Sequence, residues 1–250
     1  MELQLIRNAT LRLAYAGRTI LTDPMLSPVG TIRSFAGLAP NPTVELPLPV
    51  SEIVAGLDAV VVSHLHPDHF DEAAAAALPK DLPVFCQPGD EGGLTQAGFT
   101  DIRPVAPTLT WEGITFTRVG GRHGSGPILE RMGPVSGFVL AAPGEPTLYW
   151  AGDTIWCDEV AEALAAHRPG VMILHAGGAT IPGFAPILMR GDEVLQVLAA
   201  APQAVVVAVH LEALDHCTVT RAALREAAEQ AGVPAARLII PGDGEKVSLG

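Results

Sequence analysis

The stretch VVVSHLHPDHF, residues 60–70, places four side chains of metal-binding type within six positions. Three of the chain's eight histidines lie here, directly after a run of valines that predicts a buried strand. Alternate residues of an extended segment point the same way, so His64 and His66 can bind one ion together. As the chain turns towards the following helix, Asp68 and His69 can face a second ion. The stretch therefore predicts one short loop that serves two metals.

The pattern around this loop predicts two mixed β-sheets packed face to face with helices outside, an α/β (α+β) architecture. Short β-prone runs open the chain, and buried strands alternate with helical patterns in its second half. The three longest helical patterns cover residues 155–167, 192–200 and 220–231. We expect one domain over residues 1–250, with two coarsely similar halves at roughly 1–125 and 126–250.

Composition limits the partners. Hydrophobic residues make up 48% and charged residues 17% of the chain, so it is expected to fold throughout. The net charge of -12 argues against nucleic acid as a partner, because phosphate backbones are normally bound by clusters of Lys and Arg. Charges in the first twelve residues and polar interruptions of the longest uncharged stretch predict a cytoplasmic protein with no membrane segment. A homo-oligomer is compatible with this sequence, which leaves the oligomeric state open.

Four further polar residues follow predicted strands or adjoining glycines: His123, Asp153, His175 and His210. The carboxyl ends of strands are where α/β sheets bind ligands, so these residues are candidates for the same site. Each has a simpler explanation. His123 could belong to a surface loop, Asp153 could cap a helix beginning at residue 155, and His175 could hydrogen-bond a neighbouring loop. His216 is an alternative to His210 as the ligand, although the position of His210 at the end of a strand favours His210.

The spacing HxHxDH, with a later His, Asp and His in that order, resembles the metallo-β-lactamase-fold hydrolase superfamily. The opening NATLRLAYAGRTILTDP, residues 8–24, also resembles the branch that includes ascorbate-6-phosphate lactonase and N-acyl phosphatidylethanolamine phospholipase D. The resemblance covers nearly the whole chain. It implies a four-layer αβ/βα sandwich with a metal centre at one edge, in agreement with the layers predicted above.

The resemblance also implies two sets of metal ligands and a bridge between them. The first ion would be bound by His64, His66 and His123, the second by Asp68, His69 and His210, with Asp153 bridging both. β-Lactamases of the superfamily usually carry a cysteine at the position of Asp153, and its diiron oxygen-reducing branch commonly has a glutamate at the position of His66. The chain is therefore not expected to hydrolyse β-lactam antibiotics. Hydrolysis of another substrate is expected rather than redox chemistry. Asp23 is expected to orient a ligand histidine, and His175 to lie behind a ligand or line the substrate pocket.

The expected chemistry is hydrolysis of a small ester, lactone or phosphoester by hydroxide bound to two divalent cations. Such cations lower the pKa of a bound water from 15.7 towards ~7, and Asp68 or Asp153 would accept the proton. Imidazole and carboxylate ligands suit zinc, manganese or iron alike. The proline-rich residues 24–49 are expected to shape the substrate pocket. The alternatives are a phosphodiesterase or nuclease of the same fold, and a non-catalytic, metal-stabilised ligand-binding protein.

Overall fold

The structure is a computed structural model that describes residues 1–249. The strands are β1 (Glu2–Arg7), β2 (Thr10–Tyr15), β3 (Arg18–Thr22), β4 (Ala59–Val62), β5 (Val84–Cys86), β6 (Ile102–Pro104), β7 (Thr108–Trp111), β8 (Ile114–Val119), β9 (Gly137–Ala141), β10 (Leu148–Trp150), β11 (Val171–His175), β12 (Val205–Val209), β13 (Leu238–Ile239) and β14 (Lys246–Ser248). The helices are α1 (Val50–Ile53), α2 (Glu72–Ala77), α3 (Glu91–Gln96), α4 (Ile128–Met132), α5 (Asp158–His167), α6 (Gly191–Ala200) and α7 (Arg221–Gln230).

These strands form two seven-stranded sheets with the orders β14-β1-β2-β3-β4-β5-β6 and β13-β12-β11-β10-β9-β8-β7. Each sheet is antiparallel on one side and parallel on the other. In the first, β3, β4, β5 and β6 pair in parallel. In the second, β10 to β13 do so. The parallel strands carry apolar runs because both of their faces are covered. All four residues of β4 and all five of β11 are buried.

The hydrophobic core lies between the sheets and continues under the helices on both outer faces. The central cluster joins side chains of the first sheet, such as Leu5 and Phe85, to side chains of the second, such as Phe116 and Ile173. The Phe85 and Phe116 rings stack with centroids 4.5 Å apart. Separate clusters cover the outer face of each sheet with α2 and α3 on one side and α5, α6 and α7 on the other. The predicted sandwich of two mixed sheets with helices outside is confirmed.

The helix predicted from residue 155 begins three residues later, at Asp158. Residues 155 and 156 stay outside the helix because their amides are hydrogen-bonded elsewhere. The Ile155 amide donates to the Arg122 carbonyl at 2.9 Å, and the Trp156 amide donates to the Glu193 carboxylate at 3.1 Å. The residue that precedes the helix is Cys157, so Asp153 does not cap it.

The proline-rich residues 24–49 contain no helix or strand and are fixed to the sheet by a buried arginine. Arg7, at the end of β1, is 0% exposed and donates to the carbonyls of Met25, Ser27 and Val44 at 2.8 to 3.0 Å. Hydrogen bonds from a charged donor are stronger than those between neutral groups, so this side chain orders a segment that has no ladder of its own. Among residues 1–249, no helix has the length and apolarity that crossing a membrane requires.

Candidate metal centre

The sequence places candidate ligands at the ends of strands, and the fold brings those ends to one edge. His64 follows β4 of the first sheet, while Asp153, His175 and His210 lie at or just beyond β10, β11 and β12 of the second. These three strands are parallel neighbours, so their carboxyl ends meet. Imidazole nitrogens and carboxylate oxygens from these loops form two adjoining groups with the spacing of metal sites.

His64, His66 and His123 form the first group. The Nε2 atom of His64 lies 2.9 Å from the Nδ1 atom of His66. The Nδ1 atom of His123 donates to the Ile187 carbonyl at 2.9 Å, which leaves its Nε2 atom unprotonated and 3.3 Å from the Asp153 carboxylate. A ligand histidine needs this arrangement, because the hydrogen bond from one nitrogen fixes the lone pair on the other.

The second group surrounds His69, which is completely buried. Its Nε2 atom lies 3.3 Å from the Nε2 atom of His210 and 3.6 Å from the carboxylate of Asp68. Asp68 is also 3.4 Å from His210 Nε2. The three residues predicted for the second ion therefore point their donor atoms at one small volume.

Asp153 lies between the two groups. Its Oδ2 atom is 3.1 Å from His69, 3.3 Å from His123 and 3.9 Å from His64, measured to each Nε2 atom. Its Oδ1 atom is 3.8 Å from His210 Nε2. A carboxylate with ligand histidines of both groups around its two oxygens has the position that a bridging ligand requires.

Asp23 and Ser63 orient both groups from behind. The Asp23 carboxylate accepts from His69 Nδ1 at 2.6 Å and from the Ser63 hydroxyl at 2.7 Å. The Ser63 oxygen is in turn 2.9 Å from His64 Nδ1 and accepts its proton. Asp23, which was predicted to orient a ligand histidine, hydrogen-bonds His69 directly and contacts His64 indirectly, through Ser63. Both histidines consequently present Nε2 to the centre.

His175 lies behind Asp153 and is not among the residues that line the cavity over the cluster. Its Nδ1 atom donates to Asp153 Oδ1 at 2.5 Å, and its Nε2 atom accepts from the Trp150 indole at 3.0 Å. Although its distances would suit a metal site, both nitrogens are already in use. We therefore assign it to holding Asp153 in place.

The cluster's charges call for bound cations. Burial alone would raise the pKa of Asp153, but the charges of His69 and His210 hold it well below its usual range. Burial would likewise lower the pKa of His210, yet the Asp153 charge and the Asp68 hydrogen bond raise it to about 10. Asp153 thus remains ionised, and the nearby carboxylates raise the pKa of His69 and His210 so that these two imidazoles keep their protons. Divalent cations supply the same positive charge, and the imidazole and carboxylate donors suit zinc, manganese or iron.

Backbone strain accompanies two of these residues. His210 has φ of 60° and Asp23 has φ of 36°, in the left-handed region that non-glycine residues rarely occupy. Such conformations cost on the order of 1–3 kcal/mol and persist where the surroundings impose them. The His210 amide donates to the Asn8 carbonyl at 2.9 Å, and the Asn8 side chain donates to the Asp68 carbonyl at 3.0 Å. These bonds couple the strained turn to the metal-binding loop.

A cavity of about 290 Å³ opens over the cluster, a size that suits a small molecule. His66, Asp68, His123 and Asp153 line its floor. Its walls come from the proline-rich segment, from the region of α4, and from residues 181–187 and 216; they comprise Arg33, Ser34, Phe35, Arg131, Met132, Ile181, Ile187 and His216. As predicted, residues 24–49 contribute to the pocket. His216, the competitor of His210, stands on the wall, whereas His210 lies in the cluster.

Some partners of the site were missed by the sequence reasoning. Ser63 could have been found, because it directly precedes His64 at the end of a strand. Trp150 ends β10 and is a buried residue with one donor, but no local signal gives its partner. Cys217, whose sulfur is 3.6 Å from His210 Nδ1, and the Ile187 carbonyl lie in segments without any motif.

Comparisons with known proteins agree with this geometry. Residues 18–211 match the family model described as the beta-lactamase superfamily domain. The UPF0173 protein YddR of Bacillus subtilis is 35% identical over 255 residues, which cover 100% of both chains.

Two solved structures are similar over 100% of this chain and 99% of their own. One is described as a possible metal-dependent hydrolase from Veillonella parvula, with 34% identity and a TM-score of 0.96. The other is an isothiocyanate hydrolase from Delia radicum gut bacteria, with 37% identity and a TM-score of 0.95. By its sequence and its fold, the chain belongs to the beta-lactamase superfamily and, within it, to the UPF0173 metal-dependent hydrolase family.

Proposed function

We propose that this chain is a binuclear metal-dependent hydrolase that cleaves a small electrophilic molecule in the cavity above the cluster. The observation that carries the proposal is the position of Asp153, whose two oxygens lie within 4 Å of His64, His69, His123 and His210. A site for one ion would not need a carboxylate shared between two histidine groups.

In this proposal His64, His66 and His123 would hold one ion, Asp68, His69 and His210 would hold the other, and Asp153 would serve both. Two divalent cations, when bound, lower the pKa of a coordinated water and stabilise negative charge that develops on the substrate. Asp68 faces the cavity and is ionised, because the charges of His69 and His210 outweigh burial and lower its pKa. Its carboxylate can therefore orient the attacking water and receive its proton.

Esters, lactones and phosphoesters are the first substrate classes, because each presents a carbon or phosphorus atom open to attack by water. Isothiocyanates are a second candidate, favoured by the 37% identical isothiocyanate hydrolase and by the apolar side chains of Phe35, Met132 and Ile181 in the cavity wall. Water would add to the central carbon of R–N=C=S, and the resulting monothiocarbamic acid would release the amine and carbonyl sulfide. The same floor residues serve both reactions, since each begins with attack on an electrophilic centre.

The test combines metal quantification with an activity panel of p-nitrophenyl acetate, γ-butyrolactone, bis-p-nitrophenyl phosphate and phenyl isothiocyanate. We expect about two metal ions per chain and turnover of at least one substrate. Asp68→Asn should lower turnover by ~10²–10⁴-fold, the usual contribution of a positioned proton acceptor. Asp101→Asn, a matched change at a half-exposed carboxylate paired with Arg103, should leave turnover unchanged.

Three results would contradict the proposal. Full turnover by metal-loaded Asp68→Asn would remove the role of that carboxylate. Metal-loaded wild-type protein that hydrolyses none of the panel would favour the non-catalytic, metal-stabilised binding protein. Cleavage of single-stranded RNA in preference to every small substrate would instead support a nuclease, which the net charge of -12 and the small cavity argue against.

A further inference from the structure

We propose that His216, a residue with no part in the metal cluster, binds the substrate by a hydrogen bond from its imidazole ring. The inference rests on the proposed function and assigns to one side of the cavity the recognition of a heteroatom (O, N or S) attached to the reacting centre.

His216 is 5% exposed and lines the cavity. Its Nδ1 atom is closed to solvent and neither ring nitrogen has a hydrogen-bond partner within residues 1–249, so Nε2 is the nitrogen that a ligand in the cavity can reach. The other polar side chains of the wall differ from it. Ser34 donates to Asp215, while Arg33 and Arg131 are exposed to solvent. His216 is thus the buried wall residue whose hydrogen-bonding capacity is left open.

Leaving a buried polar group unpaired costs on the order of 1–3 kcal/mol. A phenylalanine would fill similar space without that cost, and the position already packs against an aromatic ring. The Phe35 and His216 rings meet edge to face with centroids 5.0 Å apart. Buried polar groups in folded proteins almost always have partners. An imidazole that has no partner in the protein, and whose Nε2 atom is the one not closed off, is therefore suited to a partner that arrives with the ligand in the cavity.

The surroundings fix the ring in place. The neighbouring residue, Asp215, accepts hydrogen bonds from the amides of Phe35 at 3.0 Å and Ala36 at 3.1 Å, and from the Asn41 side chain at 2.9 Å. These bonds hold the segment that carries Phe35 against His216. The His216 carbonyl also accepts from the Thr180 amide at 2.9 Å. A donor positioned by backbone and packing loses little freedom when the ligand binds.

The chemistry of the ring defines what it can bind. Burial lowers the pKa of His216 to about 4, so the ring is neutral at neutral pH and offers one N–H donor and one acceptor. The donor suits an oxygen, nitrogen or sulfur atom on which negative charge develops when water attacks the adjacent carbon or phosphorus. Such a bond strengthens in the transition state, so its loss should lower kcat more than it raises KM.

The experiment compares His216→Phe with wild type on whichever panel substrate is cleaved fastest. We expect kcat/KM to fall ~10–100-fold, the fold-change that corresponds to one hydrogen bond to a charged group. Most of the fall should be in kcat, with two metals retained. The midpoint of thermal unfolding should stay level or rise, because an unpaired polar group has been removed. His216→Asn, which keeps a donor, should recover part of the activity.

His167→Phe, at the end of α5 and away from the cavity, is the matched control and should behave as wild type. Unchanged kcat/KM in His216→Phe would overturn the inference and leave the proposed function intact. A fall in the unfolding midpoint together with loss of metal would show a structural role instead. Wild-type protein inactive on the whole panel would overturn the proposed function, and the inference with it.

Discussion

Asp23→Asn tests how the histidines are oriented, because this carboxylate hydrogen-bonds His69 directly and reaches His64 through Ser63. Its Oδ2 atom accepts from both His69 Nδ1 and the Ser63 hydroxyl, and its Oδ1 atom accepts from the Ser63 amide at 2.7 Å. An asparagine keeps one acceptor and replaces the other with an NH₂ group. If the oxygen stays on the Ser63 amide, the NH₂ group faces two donors. His69 then gains most by moving its proton to Nε2, which removes the lone pair meant for the metal.

The size of the effect follows from this change of tautomer. Loss of a partner that orients a metal ligand typically lowers metal affinity ~10–100-fold, or about 1.4–2.7 kcal/mol. Asp23 orients His69 directly and His64 through Ser63, so we expect a value near the upper end of that range. Folding should survive, because the variant side chain has nearly the same shape.

Chelator competition, followed by metal quantification, measures the affinity. The control is Asp58→Asn, since the Asp58 carboxylate accepts from the Thr19 amide at 2.8 Å but lies outside the cluster. We expect the control to keep the wild-type affinity. The reasoning is refuted if Asp23→Asn resists the chelator as well as wild type does, or if both variants lose metal equally.

Three further predictions concern pH, the cavity wall and the core. Although burial favours a neutral ring, neighbouring carboxylates raise the pKa of His210 to about 10, so its proton must leave before a metal binds. Metal affinity in chelator titrations should therefore rise about tenfold per pH unit for each proton released between pH 6 and 8, and a flat profile would contradict this. Asp215→Ala removes the acceptor for the amides of residues 35, 36, 38 and 39 and should cost ~1–3 kcal/mol, with faster hydrogen exchange in that segment and metal retained. Hydrogen-exchange protection equal to that of wild type would argue against Asp215 as the residue that orders this segment. Phe116→Ala, at a ring that is 0% exposed, should cost ~3–5 kcal/mol in urea unfolding. Leu38→Ala, at an 80% exposed side chain, should cost under ~0.5 kcal/mol, and equal losses in the two would refute the core assignment.

Local sequence was enough to predict the sandwich of two sheets and the ligand candidates. Runs such as the valines before His64 and those before His210 predict buried strands, because a strand covered on both faces must be apolar throughout. Polar residues directly after such strands then lie at a sheet edge. This is why the sequence alone predicts the loop at residues 64–69, Asp153 and His210 as ligand candidates.

Only the tertiary structure decided which partner each side chain contacts. His175 follows the same pattern as His210, yet the Trp150 indole takes its second nitrogen and leaves it behind Asp153. His216 lies six residues beyond His210 but stands on the cavity wall. The physical reason is that periodicity and strand ends are properties of neighbouring residues, whereas hydrogen-bond partners and cavity walls come from segments far apart in the chain. Sequence fixes which groups can bind a metal; the packing of both sheets determines which of them point at it.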